Sequence, residues 1–335
     1  MTRPSLFSTV ICLLFLFIGH LPLKAQYTEI INSKRPGFSE SPYGIGTGVY
    51  QAETGFFYLK NNDPTASYHT SYGGTAFLRY SRFSEKLEFN AKINYQWDQV
   101  NIGNQFNLHA DPLYEIDNVL PFSFHDRQGL SDILIGAKYL LRQQEYTDKS
   151  KEIRSWKRRV AFDKKRLIPS VGVSLGVHTN FISKDFKEEG MTYKAAILMQ
   201  HDFSSRLVVL TNLIADQISG EIPLYSYIMT MTYAINEQWS YFIENQGIFK
   251  DIAPPFFQFG TGVAYLYSAD LQFDASIRSN FFDEFQYTYL AAGLAWRLDR
   301  HQDALIIKKQ PKRPKVKKPR ARNGFFSRLF RKKRN

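Results

Sequence analysis

Strict apolar–polar alternation, strands long enough to cross a bilayer and an export leader together predict an all-β fold: a transmembrane antiparallel β-barrel of the outer-membrane type with about twelve strands. The alternation is cleanest in Leu87–Trp97. There Leu87, Phe89, Ala91, Ile93, Tyr95 and Trp97 are separated by Glu88, Asn90, Lys92, Asn94 and Gln96. A period of two gives one apolar and one polar face, and about eleven residues is what a tilted strand needs to span hydrocarbon. The leader is residues 1–25: Arg3, an apolar core from Leu6 to Ile18, and Leu23-Lys24-Ala25 as a cleavage site before Gln26.

Composition agrees. The 335 residues include 28 Phe and 20 Tyr, and a mean hydropathy of −0.33 suits alternating strands better than long apolar helices. After the leader no apolar run reaches the roughly 18 residues that mark a membrane helix. The single cysteine, Cys12, follows Ile11 inside the leader core. No disulfide, thiol nucleophile or cysteine-based metal site is therefore expected in the exported chain. The net charge of +12 is uneven: 15 Lys/Arg face one acid, Asp303, in residues 300–335, and 10 face 4 acids in 142–166, so the remaining body is acidic.

Taken in order, residues 26–45 lack periodicity and contain Pro36, Gly37, Pro42 and Gly44. They are expected to lead to the first strand or fold into a barrel mouth. Strand 1 is expected over 47–60, with Tyr50, Ala52, Thr54, Phe56 and Tyr58 on one face and Gln51, Glu53 and Gly55 on the other. A turn at Phe83–Ser84 joins strand 2 (74–82) to strand 3 (87–97). Strand 4 (129–142) sets Ile133, Ile135, Ala137, Tyr139 and Leu141 against Asp132, Gly136 and Lys138, and strand 5 (167–181) alternates Val171 to Val177 with small residues. Strands 6 (191–203), 8 (224–234), 9 (239–249), 10 (256–267), 11 (271–281) and 12 (286–298) repeat the pattern. Strand 7 (206–217) is less regular, because Val208 and Leu210 fall on its nominally polar face.

Short connections at 83–86, 204–205, 235–238 and 268–270 alternate with longer ones such as 61–72 and 98–127, as in barrels with short periplasmic turns. The long 142–166 insert breaks this rule. Tyr95, Trp97, Trp239, Tyr241, Phe281, Phe282 and Trp296 near strand ends are expected to form interfacial girdles. A soluble sandwich also alternates, but length, even strand count and leader favour closure, which leaves no sheet edge in hydrocarbon. The expected organisation is leader 1–25, N-terminal segment 26–45, barrel 46–298, and a basic disordered or amphipathic tail 299–335 on the periplasmic side.

Several motifs carry a resemblance. They are Ile31-Asn32-Ser33-Lys34-Arg35-Pro36-Gly37, Gly46 through Phe56, Leu78-Arg79-Tyr80 with Leu87-Glu88-Phe89, and Ser131-Asp132-Ile133 with Gly136-Ala137-Lys138-Tyr139. Gly262 to Leu266 with Leu271 to Asp274, and Ala292 to Arg297, complete the set. In these the chain resembles the bacterial outer-membrane proteins grouped as the putative MetA-pathway of phenol degradation, or transporter, family. The resemblance implies a β-barrel that moves small, often hydrophobic molecules. The 142–166 insert and the tail after Leu298 depart from the family pattern.

The polar faces collect Gln51, Glu53, Arg79, Glu88, Lys92, Asp132, Lys138, His178, Lys194, Asp202, Glu244, Gln272, Asp274, Arg278 and Arg297 as candidate lumen-lining residues. Arg79 and Glu88 sit on neighbouring strands and one face, so they are expected to pair. Such charges serve either to satisfy one another in a narrow lumen or to line a solute path. No catalytic residue, cofactor or metal is expected. His201–Asp202 are strand neighbours that point apart, and no HExxH, phosphate loop or EF-hand loop occurs. The expected function is an outer-membrane transporter or channel for small molecules, hydrophobic ones among them. The alternatives are a plugged barrel anchored to the envelope by its tail, and a barrel hydrolase. Expected partners are outer-membrane lipid and an unidentified small solute. Anionic headgroups or envelope polymers would meet the Pro-interrupted basic run 308–322 and the Phe326, Leu329, Phe330 face of 324–335. No nucleic acid is expected.

Overall fold

The computed structural model describes residues 30–61, 70–99, 126–145, 163–187, 190–220, 222–251, 253–280 and 286–301. The leader, most of the loops 61–72 and 98–127 with His125, the centre of the 142–166 insert, Phe281–Phe282 and the tail beyond His301 lie outside these residues.

Twelve strands are β1 (Val49–Asn61), β2 (Thr70–Ser84), β3 (Leu87–Gln99), β4 (Arg127–Arg142), β5 (Ser170–His178) and β6 (Thr192–Asp202), then β7 (Leu207–Ile218), β8 (Leu224–Ala234), β9 (Trp239–Lys250), β10 (Ala253–Ser268), β11 (Leu271–Ser279) and β12 (Tyr287–Asp299). Each pairs antiparallel with its sequence neighbours, and β12 returns to β1 in a closed barrel. The closing seam runs unbroken from Val49↔Asp299 to Asn61↔Tyr287. Closure satisfies every ladder without an exposed edge.

Burial decides between a membrane barrel and a soluble sandwich. Phe56 is 81% exposed and Ile135 56%, whereas Glu53 and Lys138 are each 1% exposed. A sandwich would bury the first pair and wet the second. Here the apolar set faces outward and the charges face in. Outward aromatics form two belts. Tyr50–Tyr80 (centroids 4.5 Å apart) and Trp239–Tyr265 (4.8 Å) lie at the short-turn end, where Tyr241 and Trp296 are also exposed. Tyr58–Tyr72 (5.3 Å) and Tyr72–Trp97 (6.4 Å) lie at the other end with Tyr95.

Two local expectations change. The turn falls at Glu85–Lys86 rather than Phe83–Ser84, because β2 continues to Ser84 through a register irregularity after Tyr80. The Ser81 hydroxyl stabilises it by donating to the carbonyls of Ser84 (2.8 Å) and Leu87 (2.6 Å). The fifth strand is Ser170–His178, shorter than 167–181. Lys164–Leu167 instead form a 3-10 turn whose first residues are capped by the Asp163 carboxylate, and Pro169, which has no N–H to donate, precedes the ladder. At the long-loop end the β9–β10 connection is short, since β10 begins at Ala253 just after Lys250.

Leu213 sits outward near the middle of β7, paired with Ile197 and Tyr227. Leu213→Arg is expected to lower stability by about 2–4 kcal/mol, the cost of an arginine on a barrel's lipid face near the midplane. Urea unfolding in phospholipid vesicles measures it, and an unchanged midpoint would contradict the outward assignment.

Candidate functional site

The interior is occupied by the chain's own N-terminal segment. Residues 31–45 enter where the Ile31 amide donates to the carbonyl of Ala269, in the β10–β11 turn (2.9 Å). They then make a circuit around the inner wall and return to β1. No strand ladder satisfies their backbone, so wall side chains do.

Glu53 on β1 accepts from the amides of Lys34 (3.0 Å) and Arg35 (3.2 Å) and from the Ser33 hydroxyl (3.0 Å). Glu244 on β9 accepts from the amides of Phe38 (3.0 Å) and Ser39 (3.2 Å) and from Thr230 Oγ1 (2.6 Å). Asn212 on β7 clamps Glu40 by both backbone groups, at 2.6 and 2.9 Å. Ser41 donates to Gln200 on β6 (2.7 Å), Tyr43 meets Ser170 on β5 (2.5 Å), and the Ile45 amide donates to Glu88 on β3 (3.1 Å).

Charge pairing runs through the same contacts. Arg79 binds Glu88 through Nε and Nη2, both at 2.9 Å, and Glu53 through Nη1 at 3.1 Å. Lys138 Nζ lies 3.2 Å from Glu40 and 3.3 Å from Glu88. Arg278 pairs with Glu244, its guanidinium carbon 3.3 Å from the ring centroid of Phe38. Arg35 reaches Asp274 on β11 with Nε (3.1 Å) and Nη2 (2.9 Å). Its guanidinium lies over Gly55 and Gly293, which face each other across the β1–β12 seam. A Cβ at Gly293 would stand 2.5 Å from Arg35 Nη2, so this approach requires glycine there. Burial pushes the Glu40 carboxyl up, but Lys138, followed by Lys34 and Arg79, outweighs it and holds the group at about 2 instead of 4.5.

Beyond the segment, towards the long loops, the wall divides. One arc is aromatic: Phe38 meets Tyr289 edge-on (5.4 Å) and Tyr289 stacks on Phe57 (5.5 Å). Phe77 lies beside Lys34 (5.1 Å), and Phe256 meets Tyr287 (5.6 Å). The facing arc is an ionic chain across β3–β7. Lys92 contacts Asp132 (3.4 Å), His178 bridges Asp132 and Asp216 at 2.7 Å each, and Lys194 closes on Asp216 (2.6 Å).

Among the sequence-derived residues, Gln51, Glu53, Arg79, Glu88 and Lys138 meet in one buried network. Lys92, Asp132, His178 and Lys194 meet in a second, and Glu244 with Arg278 in a third. Asp274 joins through Arg35, and Gln272 donates to the Arg35 carbonyl (3.2 Å). Arg297 pairs with Asp270 (2.7 Å) at the short-turn rim, where the Asp202 carboxylate accepts from Gln200 (2.8 Å). Asp202 thereby reaches the segment through Gln200 and Ser41, whereas Arg297 stays at the rim. Sequence reasoning missed Arg35, Glu40, Asp216 and the inward aromatics. Arg35 and Glu40 lie in a stretch with no period to read. Asp216 shares its face with Asn212, a signal hidden by Val208 and Leu210 of the same parity. Phe57 and Leu59 continue the Gln51–Glu53 face, so the inward side of β1 turns from polar to apolar midway.

The family model described as "Putative MetA-pathway of phenol degradation" matches residues 33–298, and the chain belongs to that family. No curated protein matches the sequence. Among solved structures, an outer-membrane channel from Pseudomonas putida F1 is similar at 10% identity and a TM-score of 0.53, over 80% of this chain and 100% of that one. That likeness is one of fold: the chain is an outer-membrane β-barrel. The Pseudomonas putida toluene transporter TodX (10% identity, TM-score 0.42, 82% and 98% covered) and the NanC porin (11%, 0.45, 74% and 100%) are also similar.

Glu244→Gln would leave Arg278 buried beside a neutral amide and weaken the acceptor for two backbone N–H groups. A cost of about 3–5 kcal/mol is expected, read as lost hydrogen-exchange protection at Phe38 and Ser39 while the strand amides keep theirs. The Glu40 ion pairs give a pH dependence. Because its carboxyl is held below the ordinary 4.5, its contribution is complete above about pH 4.5 and is lost as pH falls towards about 2. Acid titration of segment protection in wild type and Glu40→Gln checks this: the variant should lose the part of the transition in that window.

Proposed function

We propose that this protein is an outer-membrane channel for small solutes with an aromatic or apolar part, closed at one end by its own N-terminal segment. The observation that carries the reading is the inward aromatic cluster in which Tyr289 stacks on Phe57 and meets Phe38 of the segment edge-on. A wall meant solely to satisfy buried charge has no use for stacked rings, whereas an apolar solute gains by sliding along them. The ionic chain from Lys92 to Lys194 keeps the facing wall wet. The short-turn end is taken as periplasmic, the usual orientation of such barrels. On that orientation the segment closes the periplasmic half, and the 142–166 and 299–335 basic stretches emerge on that side.

The filled interior also suits the second reading, a barrel that stays closed and serves as an anchor. Uptake and conductance separate the two. In vesicles, the wild type is expected to admit a small aromatic solute in preference to a sugar of similar mass. Tyr289→Ala with Phe57→Ala should cut aromatic uptake roughly two- to tenfold, the value of an aromatic contact. Deleting residues 30–45 should raise ion conductance in planar bilayers. A barrel that passes neither ions nor solute even after that deletion is the outcome that ends the channel proposal.

A further inference from the structure

The outer wall at the short-turn end carries a second feature that the channel reading does not use. On the lipid-facing side of β12, β1 and β2, the register sets Leu298, Tyr50 and Tyr80 in one row. One pleat further towards the short-turn end the same register aligns Arg300, Gly48 and Arg82. The Gly48 amide donates to the Ser81 carbonyl (2.8 Å), which carries the row past the end of the ladder. Gly48 has a φ of 81°, a Cβ on it would stand 3.0 Å from the Arg300 carbonyl, and His301 Nδ1 bonds the Thr47 carbonyl (2.8 Å). Gly48 thus admits the backbone of residue 300 at close range, which fixes residue 300 beside β1. The result is a cavity of about 400 Å³ lined by Thr47, Gly48, Tyr50, Tyr80, Arg82 and Arg300.

The two guanidiniums differ from the five arginines that pair with carboxylates inside the barrel. Arg35, Arg79, Arg127, Arg278 and Arg297 each bind a carboxylate. Arg82 has the Tyr80 hydroxyl as its recorded partner (3.4 Å), and neither it nor Arg300 reaches a carboxylate among the described residues. Asp299 is committed to Arg297 and to the His301 amide. Below the stacked tyrosines the next outward row is Trp296, Ala52 and Leu78. There the small Ala52 recesses β1 between two bulky neighbours, and an apolar groove of about 420 Å³ follows.

We propose that this cavity binds the phosphodiester of an anionic phospholipid, with Arg82 and Arg300 clamping the phosphate across Gly48 and an acyl chain lying in the groove over Ala52. Guanidinium forks suit phosphate oxygens, and two charges that meet no carboxylate among the described residues favour a headgroup with net negative charge over a zwitterionic one. The apolar groove beneath favours a lipid over a free anion, since inorganic phosphate would leave it empty.

Native mass spectrometry of the full chain, purified into micelles with equal phosphatidylglycerol and phosphatidylcholine, tests the assignment. Wild type should retain phosphatidylglycerol over phosphatidylcholine by roughly thirtyfold, from two arginines near the surface. Arg82→Gln with Arg300→Gln should abolish the preference, while Arg142→Gln, an exposed arginine at the same end of β4, should keep it. Heat-modifiable mobility of each variant on gels verifies an intact barrel. Equal retention of the two lipids by wild type overturns the proposal, as does an equal loss of preference in Arg142→Gln. Displacement of the lipid by excess inorganic phosphate would likewise overturn it, by assigning the site to the free anion.

Discussion

Backbone amides without a ladder are the constraint on which this interior depends. A segment broken by Pro36 and Pro42 cannot add itself to a sheet, yet residues 31–45 lie inside one. Each of its buried N–H groups needs an acceptor, and an unmade bond costs about 1–3 kcal/mol. The barrel supplies carboxylates at the required heights: Glu53 for residues 34 and 35, Glu244 for 38 and 39, Glu88 for 45. Those acids cannot stand alone in a narrow lumen. Arg79, Lys138 and Arg278 neutralise them from neighbouring strands. The wall charges and the segment's backbone therefore form one system. Emptying the lumen would leave acids with fewer donors, and neutralising the acids would leave amides unpaired.

The same logic explains why the two halves of the lumen differ. Where the segment lies, polar side chains have a peptide to bind, and the wall is dense in acids and bases. Beyond the segment the wall has none of its backbone to bind. The β12–β1–β2 arc can be aromatic, with Tyr289, Phe57 and Phe77 packing on one another or on the segment, while β3–β7 keep their charges satisfied pairwise from Lys92 to Lys194. The long-loop side of the lumen thus has one apolar and one ionic wall, and a floor formed by Phe38 with Arg278 stacked on it.

Much of this was legible in the sequence because lipid imposes period two. Every strand of the barrel was visible, and β8, Leu224–Ala234, has the limits its alternation implies. Errors fell where another rule locally outweighs the period, as with the Ser81 irregularity in β2 and Pro169 before β5. The Arg79–Glu88 pair could be read from a hairpin, since short range fixes both register and face. Arg35–Asp274 could not, because it joins residues 239 apart through a segment whose path depends on the finished barrel. Inward aromatics escaped for a related reason: in a barrel the inner face is assumed polar, and Phe57, stacked on Tyr289, violates that rule.

The β1–β12 seam ties these features together. It is the pairing that closes the barrel, and its register brings Gly55 opposite Gly293. That pair forms a trough, and Arg35 fills it to reach Asp274 one strand away. Until the seam is zipped Gly55 does not face Gly293 and there is no trough, although Asp274 already stands opposite Gly293 across β11–β12. Closure and occupation of the lumen are thereby coupled: a closed seam creates the site for Arg35, and a seated Arg35 bridges β1 and β11 across β12. The seam's outer face follows the same rule, because Gly48 admits the backbone of residue 300 and Ala52 leaves space between Leu78 and Trp296. Small residues along β1 make room on both faces of the seam, for the chain's own arginine inside and for a membrane component outside.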